Sequence, residues 1–144
     1  MAKSLNFLSL LTGSFAMPAG ENPTVSMNEK TGAKAESVVW DKPYRLPEQT
    51  DVVVNATSIG LFPNVDARLD IDLDGLKRHM IVADVIPNPP RTLLIRDAEA
   101  RGCVTLDGLG MLVNQGVISI QHWTGIAADP SVMRLKLEEL FAIK

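Results

Sequence analysis

The sequence predicts an α/β fold: a partial doubly wound parallel sheet with flanking helices. Three observations predict it. The apolar runs Val52-Val-Val54 and Met80-Ile-Val-Ala83 lack the polar alternation of a half-solvated sheet, so they read as strands covered on both faces. Each run ends in a polar or proline-bearing break, and strands that alternate with helical segments imply parallel βαβ units. The 144 residues suffice for one domain with a real core and are too few for two.

The elements follow in chain order. Residues 1–28 are left as an unassigned leader, disordered or loosely packed, and residues 29–144 are assigned to a partial dinucleotide-binding domain with C-terminal helices. Lys3, the apolar run Leu5–Leu11 and the small residues near Ala16 have the faint outline of a secretory signal. That run sits at the lower length limit for a signal and falls far short of a membrane span. Gly13, Pro18, Gly20 and Pro23 punctuate turns rather than elements. Ala35–Trp40 reads as a short strand, with a connecting loop from Asp41 to Asp51. The strand that starts at Val52 ends at Asn55-Ala-Thr-Ser, and Asp70–His79 reads as a short helix or turn. The next strand, Met80–Ala83, ends at Asp84-Val-Ile and is broken by Pro87, Pro89 and Pro90, which no central strand tolerates.

Thr92–Arg101 reads as a helix with Leu93, Leu94, Ile95 and Ala98 inward and Gly102 as its stop. Cys103–Leu106 is a short strand. Asp107 can cap a helix that runs to about Thr124 and stops at Gly125. Asp129-Pro130 opens the last helix, aspartate at the cap and proline in the first helical position. Val132, Met133, Leu135, Leu137, Leu140 and Phe141 are assigned to its packing side.

Composition excludes several function classes. The chain is 46% hydrophobic and 22% charged, which is ordinary for a soluble globular protein. A formal charge of -3, scattered cations and few aromatics give no footprint for nucleic acid or an anionic membrane. Cys103 is the single cysteine, so no internal disulfide can form, which fits a reducing, cytoplasmic setting. It reads as a buried packing residue. His79 and His122 have no partners at metal-ligand spacing and read as structural. Asp70, Asp72 and Asp74 read as loop-solvating or capping carboxylates.

Three segments can carry chemistry. Asn55-Ala-Thr-Ser-Ile-Gly60 follows a strand, at the carboxyl end where open α/β sheets bind ligands. Taken alone it is equally a plain strand-end turn, and its N-x-[ST] pattern matters only in a secreted chain. Asp107-Gly-Leu-Gly-Met-Leu-Val-Asn-Gln115 places a capping aspartate and two glycines at a helix start. Gly108 and Gly110 allow backbone to approach a flat ring, and Met111 and Gln115 share one helical face. The Gln115 amide can both donate to and accept from a hydroxyl. On the residues alone, the favoured reading is that Met111 is core and Gln115 a solvated surface residue. The third segment is Ala83-Asp-Val-Ile-Pro-Asn-Pro-Pro-Arg-Thr92.

Together these segments resemble the C-terminal half of the shikimate dehydrogenase family over roughly Glu29–Thr124. The resemblance implies a Rossmann-like fold and NADP-linked interconversion of shikimate and 3-dehydroshikimate, a step of aromatic amino acid biosynthesis. NAD is not excluded as cofactor. It implies that Asn55, Ala56, Thr57, Ser58, Val85, Gly108 and Met111 line the cofactor, with Gln115 on the substrate, a small cyclic polyol. Pro87 stands where the family commonly has tyrosine, which opens quinate or another cyclic polyol as substrate. No G-x-G-x-x-G phosphate loop is present, since Gly13, Gly20 and Gly32 lack its spacing. No counterpart of the family's catalytic lysine–aspartate pair is found either, so no catalytic residue is assigned. The expectation is a truncated chain, weakly active or inactive alone, which associates as a homo-oligomer or with a complementing N-terminal half. The rival expectations are a non-catalytic, partner-binding half-domain and a truncated gene product without a selected role.

Overall fold

Parallel pairing of short strands sets the frame of the molecule. The computed structural model describes residues 7–10 and 43–141. Its strands are β1 (Phe7–Leu10), β2 (Tyr44–Arg45), β3 (Val52–Asn55), β4 (Ile71–Asp72), β5 (Ile81–Asp84) and β6 (Val104–Leu106). Its helices are α1 (Leu93–Ala100), α2 (Gly108–Thr124) and α3 (Pro130–Leu140). The main sheet has the order β1-β3-β5-β6, all parallel, and β2 pairs with β4 in a small second sheet.

Register decides which side chains share a face. Val52, Ile81 and Val104 lie in one row, Val53, Val82 and Thr105 in the next, and Val54, Ala83 and Leu106 in the third. Successive strand residues point to opposite sides, so Val53 and Val82 share one face. Both are fully buried, packed in one cluster with Leu46, Ile71, Leu76, Met80, Leu94 and Ala98. The β3–β5 and β5–β6 connections therefore cover the same face. Right-handed crossovers that progress in one direction along a sheet must do so.

The opposite face departs from expectation. Val54, Ile81 and Ala83 are only half-buried, and at the β6 edge Val104 is 57% and Leu106 55% exposed. An unbroken apolar run shows that both faces are apolar, but it says nothing of what packs there. Here a single direction of winding leaves the second face partly open to solvent.

The helices begin and end where short-range chemistry places them. Thr92 caps α1, its hydroxyl accepting from the Ile95 N–H at 3.4 Å, and Leu94, Ile95 and Ala98 are its buried residues. Asp107 caps α2, which stops at Gly125 in the left-handed region (φ 71). Asp129 caps α3 with Pro130 in its first turn. Asp72 caps a short 3-10 turn at Leu73–Gly75, its carboxylate accepting from the Asp74 N–H at 3.0 Å.

Several expectations need correction. A strand, β1, lies inside the stretch assigned to a leader, because the backbone edge of β3 offers a parallel partner that no local pattern announces. The loop from Asp41 to Asp51 contains β2, and the turn at 70–79 contains β4. Two-residue strands exist only through each other and carry no periodicity of their own. The strand expected at Ala35–Trp40 lies outside the described residues. Cys103 is half-buried rather than buried, and it sits just before β6 rather than in it. On α3, Val132, Leu135 and Leu140 are exposed, and only Met133, Leu137 and Phe141 are half-buried. Among the described residues, no helix is long and apolar enough to cross a membrane.

Met80 has the largest of the fully buried side chains in this core, and it also accepts the Lys77 N–H at sulfur (3.4 Å). Met80→Ala should cost about 2–5 kcal/mol through lost transfer energy and a residual cavity. Urea unfolding of the two proteins measures it, and a loss below about 1 kcal/mol would contradict this placement.

Candidate functional site

The carboxyl ends of β3, β5 and β6 bring the three candidate segments together. Asn55 and Asp84 are paired in register at the ends of adjacent strands, and both are buried. Asn55 Nδ2 donates to Asp84 Oδ2 at 3.0 Å, and the Thr92 hydroxyl donates to the same oxygen at 2.8 Å. The other carboxylate oxygen, Oδ1, accepts the Ile86 N–H at 3.0 Å. On the β3 side, Asn55 Oδ1 accepts the Thr57 N–H, and the Thr57 hydroxyl accepts the Ile59 N–H, each at 3.0 Å.

Backbone bonds extend these links. Val85 N–H donates to the Asn55 carbonyl (3.1 Å), and Phe62 N–H donates to the Asn88 carbonyl (3.0 Å). The loops after β3 and β5 are thus cross-linked along their length. Among the described residues, no buried side-chain nitrogen or oxygen lacks a partner.

The third segment joins through a close approach. A Cβ on Gly108 would overlap the Ile86 carbonyl and lie 2.8 Å from the Pro87 nitrogen, which makes glycine obligatory there. The start of α2 is therefore seated on the backbone after β5. The missing side chain of Gly108 makes room for the Ile86 carbonyl. Gly110 is different, since the nearest atom to a Cβ there is Asp107 Oδ1 at 3.9 Å.

The predicted site residues fall into two groups. Asn55 and Thr57 are buried with their side chains engaged internally, so they shape the loop rather than present a side chain to a ligand. Ala56 and Val85 are half-buried, Ser58 is exposed, and Met111 (41% exposed) and Gln115 stand free on one face of α2. These five can touch a bound molecule. Asp84 and Thr92 were not marked as site residues. Their only signal was a carboxylate at a strand end and a threonine at the first position of the expected helix.

Electrostatics at the α2 start were also missed. Asp107 Oδ1 accepts from Gly110 N–H (3.1 Å) and from Arg134 Nη1 (3.2 Å), while Oδ2 accepts from Arg134 Nη2 (2.6 Å). Burial pushes the Asp107 carboxyl up. The Arg134 hydrogen bond, the Gly110 and Leu109 N–H groups and the Arg134 charge together outweigh it, and hold the carboxyl below its usual range. The hydrogen bond to Asp107 leads the causes that raise the Arg134 guanidinium. Arg134 also bonds Glu138 (2.8 Å), one helical turn on.

The cofactor implied by the sequence resemblance can be tested against these groups. The open side of Gly110, the exposed Ser58 and Met111 and the half-buried Val85 suit the flat, weakly polar face of a nicotinamide ring. The amino end of α2 does not suit a phosphate, because the Asp107 carboxylate already occupies its first N–H groups. Of the remaining candidates, Cys103 donates its thiol to the Lys77 carbonyl at 3.3 Å. Burial pushes that thiol up, against the opposing charge of Arg101, so it is poorly suited to be a nucleophile. His79 Nε2 lies 3.1 Å from the Thr50 carbonyl oxygen, and His122 is exposed. Among the described residues, no group of three metal-ligating side chains occurs.

A parallel sheet with flanking helices defines a Rossmann-like α/β protein. Comparison narrows that class. Residues 108–137 match the family model described as the shikimate 5'-dehydrogenase C-terminal domain. The NADP(+)-linked shikimate dehydrogenase of Methanococcus aeolicus is 42% identical over 84 residues, 58% of this chain and 30% of that protein. Ligand-free 5-ketofructose reductase of Gluconobacter sp. strain CHM43 superposes with a TM-score of 0.76 at 49% identity, covering 82% of this chain and 42% of that one. Quinate dehydrogenase from Corynebacterium glutamicum, in complex with NAD, gives 0.59 at 35% identity, covering 64% and 32%. This chain is similar to the C-terminal half of the shikimate dehydrogenase family. It spans between about a third and two fifths of the length of these relatives.

Two predictions follow from this geometry. Gly108→Ala should destabilise the fold by about 1–3 kcal/mol, since the added methyl meets backbone that cannot rotate away. Chemical denaturation reads the effect, and a neutral result would contradict the close approach. The Asp107–Arg134 pair should give an acid-dependent term. The folded carboxyl titrates below its ordinary range, so its stabilisation is complete above that range and is lost as pH falls through the folded value. With Arg134 41% exposed, screening limits the gain to about 0.5–1 kcal/mol. Arg134→Met should flatten that part of the stability profile below about pH 5, and an unchanged profile would show the pair to be inert.

Proposed function

We propose that this chain is the cofactor-facing half of an NADP-dependent oxidoreductase of the shikimate dehydrogenase type. When bound, the nicotinamide supplies the hydride donor or acceptor. The observation that carries the reading is the convergence of three family-like segments, through hydrogen bonds and the Gly108 contact, at the carboxyl end of one parallel sheet. In this reading Ala56, Ser58, Val85, Gly110 and Met111 border the cofactor. Asn55, Thr57 and Gly108 hold the walls that present it, and Gln115 offers its amide to a substrate hydroxyl. The fit is to the nicotinamide end. The pyrophosphate and the proton-transfer groups would come from a complementing N-terminal half or from a second copy, in a cytoplasmic assembly.

A second substrate reading has its own support. Pro87, half-buried, has no hydroxyl to offer a substrate, and the 49%-identical structure is a 5-ketofructose reductase. A polyhydroxylated ketone other than 3-dehydroshikimate, a keto-sugar or a quinate-like ring, is then the alternative partner for Gln115.

Thermal unfolding of the purified chain with NADP+, alone and with shikimate, tests the cofactor reading. Saturating NADP+ at about 100 times its Kd should add about 2.7 kcal/mol of stability and raise the transition by several degrees. A transition indifferent to NADP+ would refute it. NADPH oxidation with 3-dehydroshikimate, 5-ketofructose and 3-dehydroquinate, measured with a complementing N-terminal half present, then separates the substrates. Gln115→Ala should raise KM for the true substrate about tenfold or more, since a buried hydroxyl loses its partner.

A further inference from the structure

Among the described residues, Asp84 is the one carboxylate buried beneath the loops of this site, and none of its recorded partners is a cation. Its three bonds reach three different segments: Asn55 at the end of β3, the Ile86 N–H in the loop after β5, and Thr92 at the cap of α1. Asn55 passes the constraint to Thr57, and Thr57 passes it to Ile59. Ile86 passes it to α2, because its carbonyl is the atom against which Gly108 sits. One side chain therefore sets the spacing between every wall of the cleft.

We propose that Asp84 is a positioning residue for the cofactor. Through Asn55, Thr92 and the Ile86 N–H, it holds Ala56–Ser58 and Val85 at the separation that receives the nicotinamide ring. This proposal rests on the cofactor reading above and adds to it a group that never touches the ligand. The chemistry is directional. Ionised aspartate only accepts, and all three of its neighbours donate. An amide at position 84 must turn its own N–H either toward Asn55 and Thr92 or toward Ile86, so a donor meets a donor whichever way it is set. A carboxylate at position 55 would instead face the Asp84 carboxylate. Exchanging the two, with Asn55→Asp and Asp84→Asn in one chain, restores a donor opposite an acceptor and leaves the Thr57 N–H with its oxygen.

The test measures the Kd for NADP+ by titration calorimetry and the Tm in parallel, for the full chain and its variants. Asp84→Asn and Asn55→Asp alone should each weaken NADP+ binding by about tenfold or more, and the exchanged double variant should return to within about threefold of the parent. If Asp84→Asn does not fold, Thr92→Val and Thr92→Ser replace it. The valine should weaken binding and the serine, which keeps the hydroxyl, should not. Single variants that lower Tm yet bind NADP+ as the parent does would overturn the proposal, leaving a purely structural carboxylate. A double variant that recovers Tm but not Kd would overturn it too. A parent chain that binds no NADP+ removes the cofactor reading itself, and the positioning claim with it. That result is distinct, because it appears before any substitution is made.

Discussion

A buried carboxylate with three neutral donors holds the working end of this molecule together. Asp84 stands in register with Asn55, so the two strands that carry the site are tied not only by the sheet but by the side chains at its rim. Burying an unpaired carboxylate would be prohibitive, and complete hydrogen bonding makes it tolerable. The same completeness makes the site rigid. Each loop wall is fixed by a bond whose other end is already committed, down to the Thr57 hydroxyl and the Ile59 N–H.

The rest of the fold is arranged around that rim with unequal cover. One face of the sheet carries α1 and the chain between β3 and β5, and Val53, Val82, Met80 and Ala98 are fully buried there. The other face thins toward β6, where Val104 and Leu106 are more than half exposed. The exposed apolar positions of α3 belong to the same imbalance. The helix is anchored by Arg134 on Asp107 and by Met133 against Gly116, rather than by a buried stripe. A polar clamp and one tight contact hold it, so its attachment depends on pH in a way that the α1 packing does not.

The chemistry available at the site divides along the same lines. Side chains that were candidates for direct contact, Asn55 and Thr57, prove to be internal braces, while the surface offered outward is small and weakly polar: Ala56, Ser58, Val85, Gly110 and Met111. In the proposed reading, such a surface orients a flat ring and excludes water from one side of it. It contains no group placed to move a proton, which is consistent with an assignment of cofactor positioning rather than acid–base work to this half of the family's structure.

Local chemistry was enough to place most of the elements. The valines of β3, the Asp107 and Asp129 caps, the Gly125 stop and the prolines after β5 each act within a few residues of themselves, so a linear reading recovers them. The candidate segments were legible for the same reason, as contiguous motifs. What the sequence could not determine were the relations between segments distant in the chain. These are the pairing of β1 with β3, the two-residue strands β2 and β4, the open second face, the Asp107–Arg134 clamp across 27 positions and the Asn55–Asp84 bond across 29. Hydrogen-bond direction and register exist only once two strands lie side by side. A reading along the chain could therefore name Asn55 as important, and only the tertiary structure could show that its partner is Asp84.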